Sequence, residues 1–413
     1  VGGSLRAQAA EAGLHPETVD VLTAYELHAA ELPRAEFQVL DLTRLLPGPF
    51  CSLLLADMGA DVLKVEDTRG GDYARYHPPV ADDGVGAFFA SLNRNKRAIA
   101  LDLKQPRGVQ LLEALIKDAD VVLESFRPGV MERLGLGWER LQELNPRIIC
   151  CAISGYGQDG PYREKAGHDI NYLALSGLLE QTGRPGEAPV VPGFQLADIA
   201  GGALYAALGI TAALYGREQT GKGSYIDISM TEGALSLHLP GHGRMRQGAH
   251  ADRGDDILTG GVPCYGVYET GDGHYVAVGS LEPKFWMGLL TVLDEPSLMA
   301  DGLDRGEAGA RVRAKIAAKF KERTRDKWAE VFAGTDICCE PILSPEEALE
   351  SELHKARQMF FMLQGKSYTR TPLSAVTEQG TPAPAHGQHN DEVFGEHLSP
   401  EELAELRASG VIL

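Results

Sequence analysis

Gln38-Val39-Leu40-Asp41-Leu42, the turn Pro47-Gly48-Pro49, the apolar run Leu53-Leu54-Leu55 and the segment Asp61-Val62-Leu63-Lys64-Val65 follow one another along the chain. The outer two have the length and apolar content of buried strands, and the segment between them opens on proline and continues as a helix. That is a strand-helix-strand unit, whose crossover sets the two strands parallel. The alternation then repeats. A helix from about Pro106 puts Leu111, Leu112, Leu115 and Ile116 on one face and leads to strand Val121-Val122-Leu123. A helix near Glu139-Arg140-Leu141-Gln142 leads into the strand around Cys150, and Tyr225-Ile226-Asp227-Ile228-Ser229 alternates as a further strand. The expectation is an α/β protein with an open, mainly parallel, Rossmann-like sheet covered on both faces. No Gly-x-Gly-x-x-Gly follows the first strand, which excludes the dinucleotide fingerprint.

Outward from this unit, 413 residues are enough for two domains. Residues 1–37 read as a helical extension, with Leu5, Val19, Leu22 and Leu27 among polar neighbours, and 38–238 as the large α/β domain. Residues 239–256, with Pro240-Gly241-His242-Gly243 and a polar run, read as a linker. Residues 257–355 read as a smaller α+β domain. Its expected elements are a hairpin of Cys264–Tyr268 with His274–Val278, helices, a strand Ile337-Cys338-Cys339, and a helix start at Ser344-Pro345-Glu346-Glu347. Residues 356–413 form a C-terminal segment.

The formal net charge is −19, so a nucleic-acid or anionic-membrane surface is not expected, and an anionic ligand must be met by local cations. The densest basic cluster is Asn93-Arg94-Asn95-Lys96-Arg97, with Lys104, Arg127 and Arg133 beyond it; such a cluster is either a solvated face or a binding face. Six cysteines occur without Cys-x-x-Cys or Cys/His ligand spacing, so no metal is expected, and a reducing, cytoplasmic compartment fits. No basic stretch followed by an apolar core opens the sequence, and no apolar run reaches the length of about 18 residues that a membrane span requires.

Two stretches carry candidate chemistry. Gly167-His168-Asp169-Ile170-Asn171-Tyr172 stands where a Gly- and Pro-broken loop, Gly155–Pro161, enters an apolar helix, a place that can present an imidazole as acid or base or simply cap the helix. Leu196-Ala197-Asp198-Ile199-Ala200-Gly201-Gly202 sets a carboxylate ahead of a helix rich in small residues, which implies close approach of either another helix or a ligand.

From about Gln38 onward these motifs together resemble the family III CoA-transferases (CaiB/BaiF type), and within them the alpha-methylacyl-CoA racemase branch. The motifs are Pro47-Gly48-Pro49, Asp61–Glu66, Asn93–Arg97 with Leu101-Asp102-Leu103-Lys104, Phe126-Arg127-Pro128-Gly129, Glu132-Arg133-Leu134-Gly135, Gly167-His168-Asp169 and Ala197-Asp198. The resemblance implies two chains threaded as interlocked rings, an obligate homodimer, and a C-terminal segment that rejoins the large domain. It implies an acyl-CoA thioester as substrate and no cofactor beyond its CoA moiety. Asn95, Lys96, Leu103, Lys104, Arg133, Asp169 and Tyr172 then become expected CoA or substrate contacts.

Two chemistries share that scaffold. In the transferases the aspartate matching Asp198 attacks the thioester; in the racemases it is one of two bases that exchange the proton beside the thioester carbonyl. Histidine rather than an aromatic residue at position 168 resembles the racemases. So do Ile257–Tyr265 and Glu282-Pro283-Lys284-Phe285, whose glutamate in racemases hydrogen-bonds the catalytic histidine. The expected catalytic set is His168, Asp198 and Glu282, inverting the α-carbon of a 2-methylacyl-CoA, with an acyl-CoA:carboxylate CoA-transferase as the alternative. The chain departs from the racemase pattern at Phe194, where an asparagine is usual, and at Asp67, where an arginine can stand.

Overall fold

The computed structural model describes residues 37–81, 84–249, 252–374 and 380–413. The helices expected between Leu5 and Leu32 lie outside the described residues. The chain divides into two compact units, one of residues up to Leu173 with Gln195–Leu237 and Ser351–Leu413, the other of Ala174–Phe194 with His238–Glu350.

In the first unit six strands form one sheet: β1 (Gln38–Asp41), β2 (Asp61–Glu66), β3 (Lys96–Ala100), β4 (Val121–Glu124), β5 (Ile149–Ser154) and β6 (Ser224–Ser229). Their order is β3-β2-β1-β4-β5-β6 and every pairing is parallel. Helix α1 (Pro47–Asp57) begins with proline at its first position, where a missing N–H leaves no bond unmade. Gly48 is required there, because a Cβ would stand 2.2 Å from the Thr43 side chain. Helix α2 (Pro106–Asp118) buries Leu111, Leu112 and Ile116 on the sheet. The C-terminal residues pack on the same core: Val393, Phe394, Leu403, Leu406, Val411 and Ile412 join it, and Asn390 accepts the Ala100 N–H at 2.9 Å.

Helix α3 (Asp169–Leu175) follows β5. Helix α4 runs from Ala197 to Thr220, π-helical over Ala197–Leu204 and α-helical over Tyr205–Thr220. By length and composition α4 is apolar enough to span a membrane, with a mean hydropathy of 1.5, which corrects the expectation that no such run exists. Its apolar character comes from Gly, Ala and Leu residues interrupted by Asp198 and Arg217, and its small-residue face is occupied by protein. Helix α5 (Met230–Ser236) lies against it so closely that a Cβ on Gly233 would stand 1.9 Å from the Gly201 carbonyl oxygen. Close helix packing therefore accounts for those glycines.

The second unit carries an antiparallel sheet of β7 (Tyr265–Glu269), β8 (Tyr275–Gly279) and β9 (Cys339–Pro341). Its core is built from Trp286, Leu289, Phe320, Trp328 and Phe332. The last strand starts two residues later than the expected Ile337, because Cys338 adopts φ 53°, a left-handed conformation that no strand accommodates. Within the stretch read as linker, Leu239–Arg246 form helix α6. One of the two glycines that lower its apparent helix propensity has a packing reason: a Cβ on Gly241 would strike the His238 ring at 2.1 Å. Ala174–Phe194 belongs to this unit, fastened by Arg253, which donates to the Glu180 carbonyl at 2.7 Å and pairs with its carboxylate at 2.6 Å.

Candidate active site

Ligands of open parallel sheets gather at the carboxyl ends of the strands, and the loop leaving β5 starts at such an end. It is anchored early: the Gly157 N–H donates to Ser154 Oγ at 2.9 Å, and the Thr231 hydroxyl donates to the Gly155 carbonyl at 2.7 Å. The Tyr172 ring fills the space that Gly155 and Gly167 leave, where added Cβ atoms would meet it at 2.5 and 2.7 Å. Its hydroxyl donates to the Gly167 carbonyl at 2.6 Å, and Tyr156 packs edge-on against it at 5.3 Å. The residue before His168 is thus tied to the helix after it through the buried Tyr172.

His168 itself is clamped by its backbone. Its N–H donates to Asn171 Oδ1 at 3.0 Å, while its carbonyl accepts from the Asn171 and Tyr172 N–H groups at 2.8 and 3.3 Å. This is half of a capping box, with the reaching side chain three residues into the helix. The imidazole belongs to a residue that stays exposed, so the local structure fixes the base of the side chain and leaves its ring open. Asn171 was not singled out from the sequence; its spacing from His168 is the signal that could have found it.

Asp198 lies in the first turn of the π-helical segment, a geometry that recurs at functional sites. Its N–H donates to Asp169 Oδ1 at 2.9 Å, so the two stretches singled out in the sequence meet directly. With an aspartate's reach and a Cα step of about 3.8 Å, that bond holds the Asp198 N–H within about 10 Å of the His168 Cα. Burial pushes the Asp198 carboxyl up to about 7, and the Asp169 carboxylate beside it adds to the shift. Burial, followed by the charge on Asp198, also raises Tyr172. No lysine or arginine pairs with Asp198 or Asp169 among the described residues.

The expected CoA contacts divide differently. Lys96 is enclosed: its ammonium donates to Pro49 O, Ser52 Oγ and Asn93 Oδ1 at 2.9, 2.7 and 2.9 Å and pairs with Asp41 at 3.3 Å. Arg94 is likewise buried against Asp57. The basic cluster is therefore neither a solvated face nor a binding face at these positions, because its charges neutralise interior aspartates. Asn95, at φ 61°, donates to Asp57 at 3.1 Å and accepts the Thr381 N–H at 2.9 Å, which occupies its amide in holding the C-terminal segment. Leu103 packs on the core, whereas Lys104 and Arg133 are exposed on the first unit. Glu282 is exposed in the second unit, where its carbonyl accepts the first N–H groups of helix α7 (Pro283–Leu293) and its charge bears on Cys338. Among the described residues no group of three His, Cys, Asp or Glu side chains is placed to hold a metal ion.

A parallel α/β sheet without a nucleotide fingerprint, bearing an uncompensated carboxylate of near-neutral pKa beside a presented histidine, defines a class of enzymes that move protons or acyl groups. The chain belongs to CoA-transferase family III, which it matches over residues 35–390. It is 41% identical to the human protein named alpha-methylacyl-CoA racemase over 384 residues, covering 91% of this chain and 96% of that one. It is 35% identical to the succinyl-CoA–D-citramalate CoA-transferase of Chloroflexus aurantiacus over 403 residues, covering 92% and 98% of the two chains. Among solved structures, a CaiB/BaiF family protein from Brucella suis superposes with a TM-score of 0.76 at 30% identity, covering 88% of this chain and 99% of that one.

Proposed function

We propose that this enzyme inverts the α-carbon of a 2-methylacyl-CoA thioester by two-base proton transfer, with His168 and Asp198 as the bases. The observation that carries the reading is Asp198, partly buried without a cation and brought to a pKa of about 7 next to the loop that presents His168. A carboxyl that titrates near 7 is populated both as acid and as base at neutral pH, as a reversible inversion requires. One group removes the proton beside the thioester carbonyl, the electron pair of the broken C–H bond passes into an enolate, and the second group returns a proton to the opposite face. The enolate oxygen needs a donor in place, and the Asp169 N–H at the start of α3 is the candidate. Glu282 is the proposed partner that orients the imidazole.

The 41% identity to a protein named as a racemase, against 35% to one named as a transferase, supports this choice. The reading needs no cofactor beyond the CoA of the substrate. It includes a homodimer, supported by the exposed stripe Leu204, Leu208 and Tyr215 on one side of α4. A reducing, cytoplasmic compartment suits six thiols, all of them unpaired and five of them buried.

The test is to incubate one enantiomer of a 2-methylacyl-CoA in deuterated water without any added acid. Deuterium uptake at C2 together with loss of optical purity is expected, and His168→Ala should abolish both while leaving CoA binding nearly intact. Absence of exchange, with acid-dependent ping-pong kinetics and an adduct trapped on Asp198, would replace the racemase by the transferase.

A further inference from the structure

The C-terminal segment of the first unit contains a hairpin in which β10 (Phe360–Leu363) pairs antiparallel with β11 (Lys366–Thr369). The ladder runs one step further, because the Arg370 N–H donates to the Met359 carbonyl at 2.7 Å. Side chains alternate along a strand, so Tyr368 and Arg370 share a face, and both are buried. On that face the Phe361 ring stacks on Tyr368 at 5.9 Å, and the Arg94 guanidinium lies 5.3 Å from the Phe361 ring centroid. Two guanidinium groups therefore meet the covered side of one hairpin.

The carboxylate at hand there, Asp57, is already taken. Arg94 binds it through both terminal nitrogens, one of them at 2.6 Å, and Asn95, Thr371 and Ser374 donate to it at 3.1, 2.9 and 2.5 Å. Its one charge is matched by Arg94. Arg370 is 6% exposed, makes no ion pair among the described residues, and its Nη1 is buried without an acceptor. A water molecule can accept that N–H but leaves the charge unmatched, and a buried charge is tolerated only with an opposite one beside it. The candidate active site does not supply that partner. Arg94 and Asn95 stand just before β3, at the amino ends of the parallel strands, whereas the His168 loop leaves the carboxyl end of β5. The five residues of β3 alone span about 17 Å.

We propose that Arg370 binds a compact oxyanion, a phosphate or a carboxylate group, under this hairpin and at the end of the sheet away from the candidate active site. A planar guanidinium holds either group through two parallel N–H···O bonds. The bound anion fastens the C-terminal segment to the sheet, because Thr371 and Ser374, which follow Arg370, already reach Asp57 at the end of α1.

Thermal unfolding of the full chain in chloride, inorganic phosphate and acetate at equal ionic strength tests this without relying on turnover. The unaltered protein should melt about 3 °C higher in about 50 mM phosphate than in chloride. An equal rise in acetate assigns the site to oxyanions at large, and a rise in phosphate alone assigns it to phosphate. Arg370→Met should lose the rise and, in chloride, be no less stable than the parent, since it removes an unmatched buried charge. Its affinity for CoA should stay within twofold, which separates this site from any phosphate effect at the active site. Should Arg370→Met fail to fold, Arg370→Lys, which keeps the charge without the planar fork, should retain less than half of the rise. Glu378 lies outside the described residues, and Glu378→Gln should leave both the stability in chloride and the rise unaltered. A full rise in either folded Arg370 variant, a loss of stability in chloride for Arg370→Met, or the same loss for Glu378→Gln would overturn the inference.

Discussion

Asp41 and Asp198 are both withdrawn from water within the same unit, and they differ in what surrounds them. Asp41 accepts from the Thr43 N–H at 2.9 Å, the Thr43 hydroxyl at 2.5 Å and the Ser52 hydroxyl at 2.5 Å, and Lys96 lies 3.3 Å away. Burial alone would raise it; Lys64 and Lys96, with the two hydroxyls, overcome that and hold it at about 2. Asp198 is partly buried, has a second carboxylate as neighbour and no cation, and is pushed to about 7. Desolvation is common to both sites, so it does not mark a catalytic group. The missing counter-charge does, because it leaves the proton free to come and go.

The largest effect that separates the two is on rate. Asp198→Asn should lower α-proton exchange by about 10³-fold, the range of a lost acid–base group. It should also leave the protein at least as stable at pH 8, since it deletes a charge that burial penalises. A thermal melt alongside the exchange assay checks both, and a destabilised Asp198→Asn protein would break the contrast. Asp41→Ala should behave oppositely. It leaves the buried Lys96 ammonium group without its carboxylate, and a loss of about 3–5 kcal/mol in denaturant unfolding is expected, with activity per folded molecule retained.

The pH dependence of unfolding sharpens the same point, because the two shifts have opposite signs. Asp198 keeps its proton in the folded chain after the unfolded chain has lost it, so its contribution falls as pH rises from about 4 to about 7. With allowance for partial solvent screening the change is about 2 kcal/mol. Asp41 contributes above the unfolded carboxyl range, and that contribution is lost as pH falls toward about 2. Both variants should therefore approach the parent at the acid end and depart from it with opposite signs as pH rises, Asp198→Asn toward greater stability and Asp41→Ala toward lesser. The smallest effect concerns the brace: Tyr172→Phe removes the hydrogen bond to Gly167 and should cost about 1 kcal/mol, with a severalfold drop in exchange rate.

The strand-helix-strand alternation and both chemical stretches were legible in the sequence because each rests on local pattern: apolar runs of strand length, prolines at helix starts, and a histidine leaving a glycine-rich loop. The fate of Asn93–Arg97 was not. Lys96 and Arg94 find Asp41 and Asp57 only when β1, α1 and β3 come together, and a charged run gives no local sign that its partners wait in the interior. Strand β3 was hidden for the same reason, since it opens on those charges. At Asp198 the glycines and alanines announced a close approach but not its direction. Gly201 and Gly233 admit helix α5, and the carboxylate is set instead by the π-helical turn and the bond to Asp169.

Titration of Asp198 itself is the most direct test of the account. In protein labelled at aspartate carboxyl carbons, the resonance that disappears in Asp198→Asn should move with a midpoint near 7. A midpoint near 4, where an ordinary aspartate titrates, would contradict the claim that this carboxylate is held without a counter-charge and poised for proton transfer.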